Sequence, residues 1–356
     1  MSLDELRKRI DALDTQLVQL MNERAEVVVQ VGRLKNETDK PIYAPAREKQ
    51  VFDKIERANT GPLPTKCLKA IWRELMSGSF HLERPLRIGY LGPNGSFSHA
   101  AAMLKFGQCV AYEPLADISA IFDMVGKGHC DLGLVPIENS TGGGVIETLD
   151  ALIETNVKVC AEVLLEIHHN FMAKCSPDRI TQVFSKPEVF AQCQKWLSAT
   201  YRSAEKVSVA STAKAAQMAA ETDYAAAIGS AAAAELYGLQ ILHENIEDIP
   251  NNVTRFLIIG REDAKPTDQD KTAILFSTAH KAGALVDVLD VFRKHSINLT
   301  NIESRPSKKR EWEYYFFMDF LGHHTDEPIR LGLDEARQHC LQLSVLGSFP
   351  KAVDLL

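Results

Sequence analysis

The 356 residues contain no CxxC pair, no HExxH and no GxSxG, and the seven cysteines, at 67, 109, 130, 160, 175, 193 and 340, form no regular ladder. A disulfide framework, metal-assisted hydrolysis and acyl-serine chemistry are therefore without support. Basic excess is missing as well: the formal charge is −7, which argues against coating nucleic acid. No apolar stretch is long enough to span a bilayer, and the opening MSLDELRKRI has no apolar signal-peptide core. These absences predict a cytoplasmic protein in a reducing compartment, with neither membrane nor nucleic acid as partner. No repeat recurs at a fixed period. What remains is an ordinary apolar content of 45% in a chain long enough for two or three domains.

The first block is helical. Ser2 and Glu5 form a capping box, and Leu3, Leu6, Ile10, Leu13, Leu17, Leu20, Val27, Val31 and Leu34 recur at three-four spacing. Such a rod is roughly 45 to 50 Å long, more than one small domain covers, so a second copy is expected along it. Arg24 is the only charge on the seam, and a buried cation needs an anion. Lys35 lies within about 20 degrees of the same face, whereas Arg7 lies about 100 degrees round and reaches a site only in a partner chain. Pro41 and Pro45 end this helix and start a second, Ala46 to about Ala58, where Arg47 and Glu48 fold back toward the first. TGPLP at 60 to 64 breaks before a third helix carrying Leu68, Ile71, Trp72 and Leu75. Converging guanidinium groups suit a ligand with more than one carboxylate; internal salt bridges are an equally good account of them.

The pattern changes at Pro85. Short apolar runs, RIGYLG at 87 to 92, LGLVPIE at 132 to 138, KVSVAS at 206 to 211, YAAAIGS at 224 to 230 and VTRFLIIG at 253 to 260, alternate with helix-like segments, predicting a two-lobed α/β block. Residues 87–165 and 240–262 make the first lobe and 166–239 the second, with the chain returning through ILHENI and VTRFLIIG. Three polar clusters fall at strand ends: GPNGSFSH at 92 to 99, PIENSTGGG at 136 to 144 and NNVTRF at 251 to 256. Alternation turns Thr254 and Arg255 to opposite sides of their strand. Adjacent His168 and His169 diverge, one as a core or cleft hydrogen bonder and the other exposed. Thr212 is a candidate helix cap facing the cleft. A charged linker, 261 to 271, leads to a βαββαβ order over 271–356, that of a split βαβ domain.

These motifs carry a resemblance. Residues 1–84 resemble the all-helical type of chorismate mutase, 87–262 resemble prephenate dehydratase, and the last block resembles an ACT domain, an amino-acid-binding module. The resemblance implies a multidomain fold: an all-α intertwined mutase domain, a two-lobed, periplasmic-binding-protein-like α/β dehydratase domain, and an α+β ACT domain. It further implies chorismate and prephenate as substrates, no cofactor and no metal, and a homodimer or, doubled again, a tetramer.

By the same resemblance Arg7, lent by the partner, joins Arg24, Lys35, Arg47, Glu48, Ser79 and Glu83 around chorismate. Lys35 bonds the ether oxygen and Glu48 the hydroxyl. Two positions depart from relatives: Ala44 replaces an aspartate, and Glu83 stands where glutamine is common. Only a protonated Glu83 can donate to the ether oxygen, so mutase activity is expected to fall as pH rises. In the dehydratase, Thr254 is implied to assist hydroxyl departure, with Asn139, Ser185 and Gln192 as polar cleft residues and Arg255 as carboxylate anchor or support for its turn. L-phenylalanine is the implied effector, bound by Gly283, Ala284, Leu285 and Val286 together with Glu303, Ser304, Arg305 and Pro306. Two other readings compete: a dehydratase whose helical block is only a dimerisation arm, and a non-catalytic two-lobed sensor of amino acids or carboxylates.

Overall fold

The computed structural model describes residues 2–37, 41–307 and 313–356, the side chain of residue 36 apart. The chain forms two compact units, one from the stretch up to Arg87 with Lys105–Ala111, the other from Ile88–Leu104 with Tyr112–Leu356.

The first unit contains α1 (Leu3–Glu37), α2 (Pro45–Ala58) and α3 (Thr65–Glu83). The capping box forms as expected: the Glu5 amide donates to Ser2 Oγ and the Ser2 amide to Glu5 Oε2. Pro45 opens α2, and Ala44, at its N-cap, supplies no side-chain cap. At Gly32, α1 and α3 touch: a methyl group there would come within 3.0 Å of Glu83 Cγ and 3.2 Å of its Cα. Three residues further along α1, Lys35 is thereby delivered to Glu83. Ile42, Tyr43, Ala46, Ile55 and Met76 are buried, but all nine apolar seam residues of α1 are exposed, Leu17 by 52% and Leu34 by 63%.

The second unit begins with β1 (Arg87–Leu91), α4 (Phe97–Phe106), β2 (Ala111–Leu115), α5 (Ile118–Gly126), β3 (Leu132–Asn139), the two-residue β4 (Gly143–Gly144), α6 (Ile146–Ile153) and β5 (Lys158–Glu166). There follow β6 (Asn170–Ala173), β7 (Gln182–Ser185), α7 (Pro187–Gln192), α8 (Gln194–Thr200), β8 (Glu205–Ser208), α9 (Thr212–Glu221), β9 (Ala225–Gly229), α10 (Ala231–Tyr237) and β10 (Gln240–His243). The last part comprises β11 (Val253–Gly260), β12 (Asp270–Ser277), α11 (Ala284–Lys294), β13 (Leu299–Pro306), β14 (Tyr314–Leu321), α12 (Glu327–Ala336) and β15 (Gln342–Pro350).

Three sheets result, in the orders β2-β1-β3-β11-β5 (with β4 on β3), β10-β6-β9-β7-β8 and β13-β14-β12-β15. The return to the first lobe is made by β11, which enters antiparallel between β3 and β5. ILHENI does not return with it: β10 pairs with β6 and stays in the second lobe. The charged stretch after Gly260 is stitched down, with Arg261 donating to the Val125 carbonyl and buried Asp270 accepting from Thr267. The third sheet alternates with period two. Ala273, Leu275, Tyr315 and Phe317 share a core with Leu149, Leu152, Val159 and Leu257 of the first lobe, while Ile274, Phe276, Met318 and Phe320 pack against α11 and α12. Gly347 lies directly on the Val159 carbonyl, where any side chain would collide.

Candidate active sites

In the helical unit the expected cations do gather. Arg24 donates to Ser79 Oγ at 2.8 Å, and Ser79 in turn donates to the Leu75 carbonyl, so the hydroxyl aims the guanidinium. Burial, and then the nearby charge of Arg47, hold the Arg24 pKa below its usual value. Two guanidinium groups drawn together in this way suit an anion. Lys35 Nζ donates to Glu83 Oε2 at 2.9 Å and to the Ile42 carbonyl at 3.0 Å. Glu83 is therefore an acceptor here, where the sequence reading made it a donor. Glu48 accepts from the Tyr43 hydroxyl at 2.9 Å and from Lys105 at 2.6 Å. Lys105, fifty-seven residues away, was invisible to local pattern. Arg7 stands apart on exposed α1, beside Asp4 at 3.7 Å.

The α/β cleft is organised around Asn139 and Thr254, direct neighbours in the register of β3 and β11. Asn139 Oδ1 accepts from Thr141 Oγ1 at 2.6 Å and from the amides of Thr141 and Gly142, each at 3.0 Å. With its oxygen so occupied, the amide nitrogen faces Thr254 Oγ1 at 2.8 Å and Asn252 Oδ1 at 2.7 Å. Upstream, Gln192 Nε2 donates to Thr141 Oγ1 at 3.1 Å, and Gln192 Oε1 lies 2.7 Å from His169 Nε2. Because an amide oxygen only accepts, His169 carries its proton on Nε2, and burial lowers its pKa, favouring the neutral ring. Donors thus run one way, from His169 through Gln192, Thr141 and Asn139 to Thr254. At the end of the line the Thr254 oxygen accepts, which leaves its own proton to give.

The chain of bonds crosses from the second lobe to the first at Gln192 and Thr141, and a second crossing joins Ser230 Oγ to the Gly95 carbonyl at 2.8 Å. Phe97 of the GSF turn meets the His169 ring edge-on, 5.7 Å away. His168 is the exposed member of the pair; its hydrogen bond to Glu247 raises its pKa. His169 is the core or cleft hydrogen bonder expected of the pair, whereas Thr141 and Asn252 were the residues sequence reasoning left without a role. Thr141 sits inside a flagged motif, but only the folded loop turns it onto Asn139.

Two expectations are corrected, and for Arg255 one of two alternatives falls away. Ser185 does not line the cleft: it is fully buried and donates to the Ile228 carbonyl across β7 and β9. Thr212 is not the cap of α9, since Ser211 accepts from the Lys214 amide and performs that task. Arg255 faces away from Thr254, as strand alternation demands. It is held between Glu162 (Nε to Oε2, 2.8 Å) and Asp319 (Nη1 to Oδ2, 2.5 Å), which fits the second of its two expected roles, a support, and not a carboxylate anchor. Burial alone would raise the Glu162 carboxyl, but Arg255 and Lys271 hold it below the usual carboxylate range.

In the third sheet Gly283 precedes α11 with φ +83°, and a Cβ there would meet nothing, so the left-handed backbone rather than crowding calls for glycine. Gly283 and Val286 are exposed, Leu285 is half-buried and Ala284 is buried. Of the facing segment, Ser304 and Pro306 are exposed. Glu303 and Arg305 turn instead toward the first lobe, against Gly144 and Asp150. Among the described residues no group of three or more His, Cys, Asp or Glu side chains gathers as a metal site would.

Residues 6–84 match the family model for chorismate mutase type II, 88–264 that for prephenate dehydratase and 272–330 that for the ACT domain. The bifunctional chorismate mutase/prephenate dehydratase of Pseudomonas aeruginosa is 44% identical over 358 residues, covering 99% of this chain and 98% of that one. Its counterpart from Aquifex aeolicus is 42% identical with the same coverage. Among solved structures, the prephenate dehydratase of Arthrobacter aurescens, in complex with L-Phe, is 32% identical and superposes with a TM-score of 0.70 over 75% of this chain and 90% of its own. Three consecutive domain matches and end-to-end identity leave one conclusion: this chain belongs to the bifunctional chorismate mutase/prephenate dehydratase family, whose members act in phenylalanine biosynthesis.

Proposed function

We propose that the two reactions occupy two separate sites, that the first is completed by a second copy of the chain, and that L-phenylalanine bound to the third block restrains the second. In the helical unit Arg24, with Arg7 from the second copy, holds the two carboxylates of chorismate in the compact conformer that rearranges. Lys35 meets the ether oxygen, where negative charge grows as the C–O bond breaks, and Glu48 holds the substrate hydroxyl. For this the ether oxygen must compete with Glu83 for Lys35. The exposed apolar seam of α1 supports the paired arrangement, since each large apolar side chain covered contributes about 1.5–3 kcal/mol.

In the cleft, the bond between the prephenate ring and its carboxylate breaks, releasing carbon dioxide, and its electron pair completes the aromatic ring. The C4–O bond breaks with its pair on oxygen, which leaves as water after accepting a proton. Thr254 supplies that proton or a strong hydrogen bond in its place and is reprotonated from solvent. The observation that carries this reading is the bond from Asn139 to the Thr254 oxygen, which orients the hydroxyl as a donor. Restraint by L-phenylalanine rests on the ACT match and on the open backbone at Gly283.

Supplying chorismate and following prephenate and phenylpyruvate together tests the assignment. Arg24→Ala should block the first step while added prephenate is still consumed, and Thr254→Ala should let prephenate accumulate. Loss of both steps in either folded variant would overturn the two-site assignment.

A further inference from the structure

Strand β13 has two chemically different sides. Its register pairs Ile302 with Met318 and Ser304 with Phe316, on the side that packs under α11. Glu303 pairs with Phe317, Arg305 with Tyr315 and Asn301 with Asp319, on the side facing the first lobe. The ESRP motif is thus divided by alternation: Ser304 and Pro306 are exposed on the opposite side of the strand from Glu303 and Arg305, which grip the dehydratase lobe.

Three grips are visible. The Glu303 carboxylate lies on the α-carbon of Gly144, where a Cβ would overlap both of its oxygens. Gly144 pairs with Glu138 in the short hairpin that also pairs Gly143 with Asn139. Gly144 lies outside the left-handed region, so its backbone does not call for glycine, and Glu303 does. Arg305 Nη2 reaches Asp150 Oδ1 at 3.2 Å, on α6 immediately beyond the hairpin. Asp319 takes Arg255, the residue next to Thr254. Burial and the neighbouring Glu138 raise the Glu303 carboxyl pKa, as befits a group pressed against the lobe rather than open to a ligand.

We propose that this face of the third sheet is a built part of the dehydratase site: Glu303, Arg305 and Asp319 are positioning residues that hold the hairpin, α6 and β11 so that Asn139 meets Thr254. Effector occupancy, sensed beside α11, reaches the cleft through them. This last clause rests on the phenylalanine reading above; the positioning role does not.

Breaking the Glu303–Gly144 contact from each side tests it in the full-length chain, with mutase activity as the control for folding. Glu303→Ala, and Gly144→Ala, which breaks the same contact from the other side, should each lower dehydratase kcat by about fivefold or more, and the double variant should fall little further. Arg305→Ala should leave calorimetric L-phenylalanine binding intact while weakening inhibition about fivefold or more, and Arg305→Lys should recover part of it. A Glu303→Ala chain with unchanged dehydratase kcat would overturn the positioning role. Loss of L-phenylalanine binding in Arg305→Ala would make Arg305 an effector ligand and overturn the division of the strand. A wild-type chain that binds no L-phenylalanine would sink the regulatory reading alone, with Glu303→Ala and Gly144→Ala still deciding the rest.

Discussion

The side-chain amide of Asn139 donates to the Thr254 hydroxyl across 2.8 Å, and its oxygen is pinned by three donors from the following turn. The direction of this bond decides which way the threonine proton points. Thr254→Ala should cut dehydratase kcat at least about tenfold with the mutase intact, while Thr254→Ser should retain most of it. Asn139→Asp is the sharper probe. A carboxylate there accepts from Thr254 and takes the proton meant for the leaving hydroxyl, so phenylpyruvate formation should drop about tenfold or more despite the near-identical shape.

Acid should weaken the α/β unit in two separable steps. His169 has its pKa lowered from 6.5 by burial, so the unfolded chain binds a proton first and stability falls as pH drops below that value. Glu162 has a depressed carboxyl, so its contribution is present above the unfolded carboxylate pKa and is lost as pH falls through the lower folded one. His168, its pKa raised by Glu247, acts in the opposite sense. Denaturant unfolding at a series of pH values, read as wild type minus His169→Asn and wild type minus Glu162→Gln, isolates each step. Equal slopes in wild type and variant would remove that group.

Glu83 offers a test in the mutase. Paired with Lys35 at 2.9 Å it accepts, and as a carboxylate it repels charge growing on the ether oxygen. Glu83→Gln frees Lys35 and brings an amide donor, so its kcat/KM should exceed that of wild type. An unchanged kcat/KM in this variant would take Glu83 out of the site.

Shared sites make a numerical prediction. Arg7→Ala and Arg24→Ala should each abolish mutase activity, but unfolding and refolding an equal mixture should restore about a quarter of it, because half the dimers are mixed and each mixed dimer has one intact site. Leu17→Glu, on the exposed seam, should shift the chain toward the monomer in sedimentation and remove mutase turnover. An active monomer would end the shared-site reading.

The spacing of Leu3 through Leu34 was enough to read α1, its apolar seam and the anomaly of Arg24, because a helix face is a local, periodic property. Strand ends carrying PIENST and NNVTRF could also be read, as could the divergence of Thr254 from Arg255. Strands β5 and β6 were not marked out in advance: β5 is buried along nearly its whole length, so it lacks the polar alternation that signals a half-exposed strand. The readings of a bare dimerisation arm and of a non-catalytic sensor gave way to end-to-end relatives that carry both activities.

Chemistry that depends on residue type and local order was settled along the chain: three domains in sequence, a cationic helical block and three polar clusters at strand ends. Long-range pairing settled the rest. Lys105 reaches Glu48, Gln192 reaches Thr141, and Arg255 is turned to Asp319 across separations that no local period encodes. Which side of a strand meets which neighbour follows from sheet order and register, and these are chosen by the packing of the whole core rather than by any segment within it.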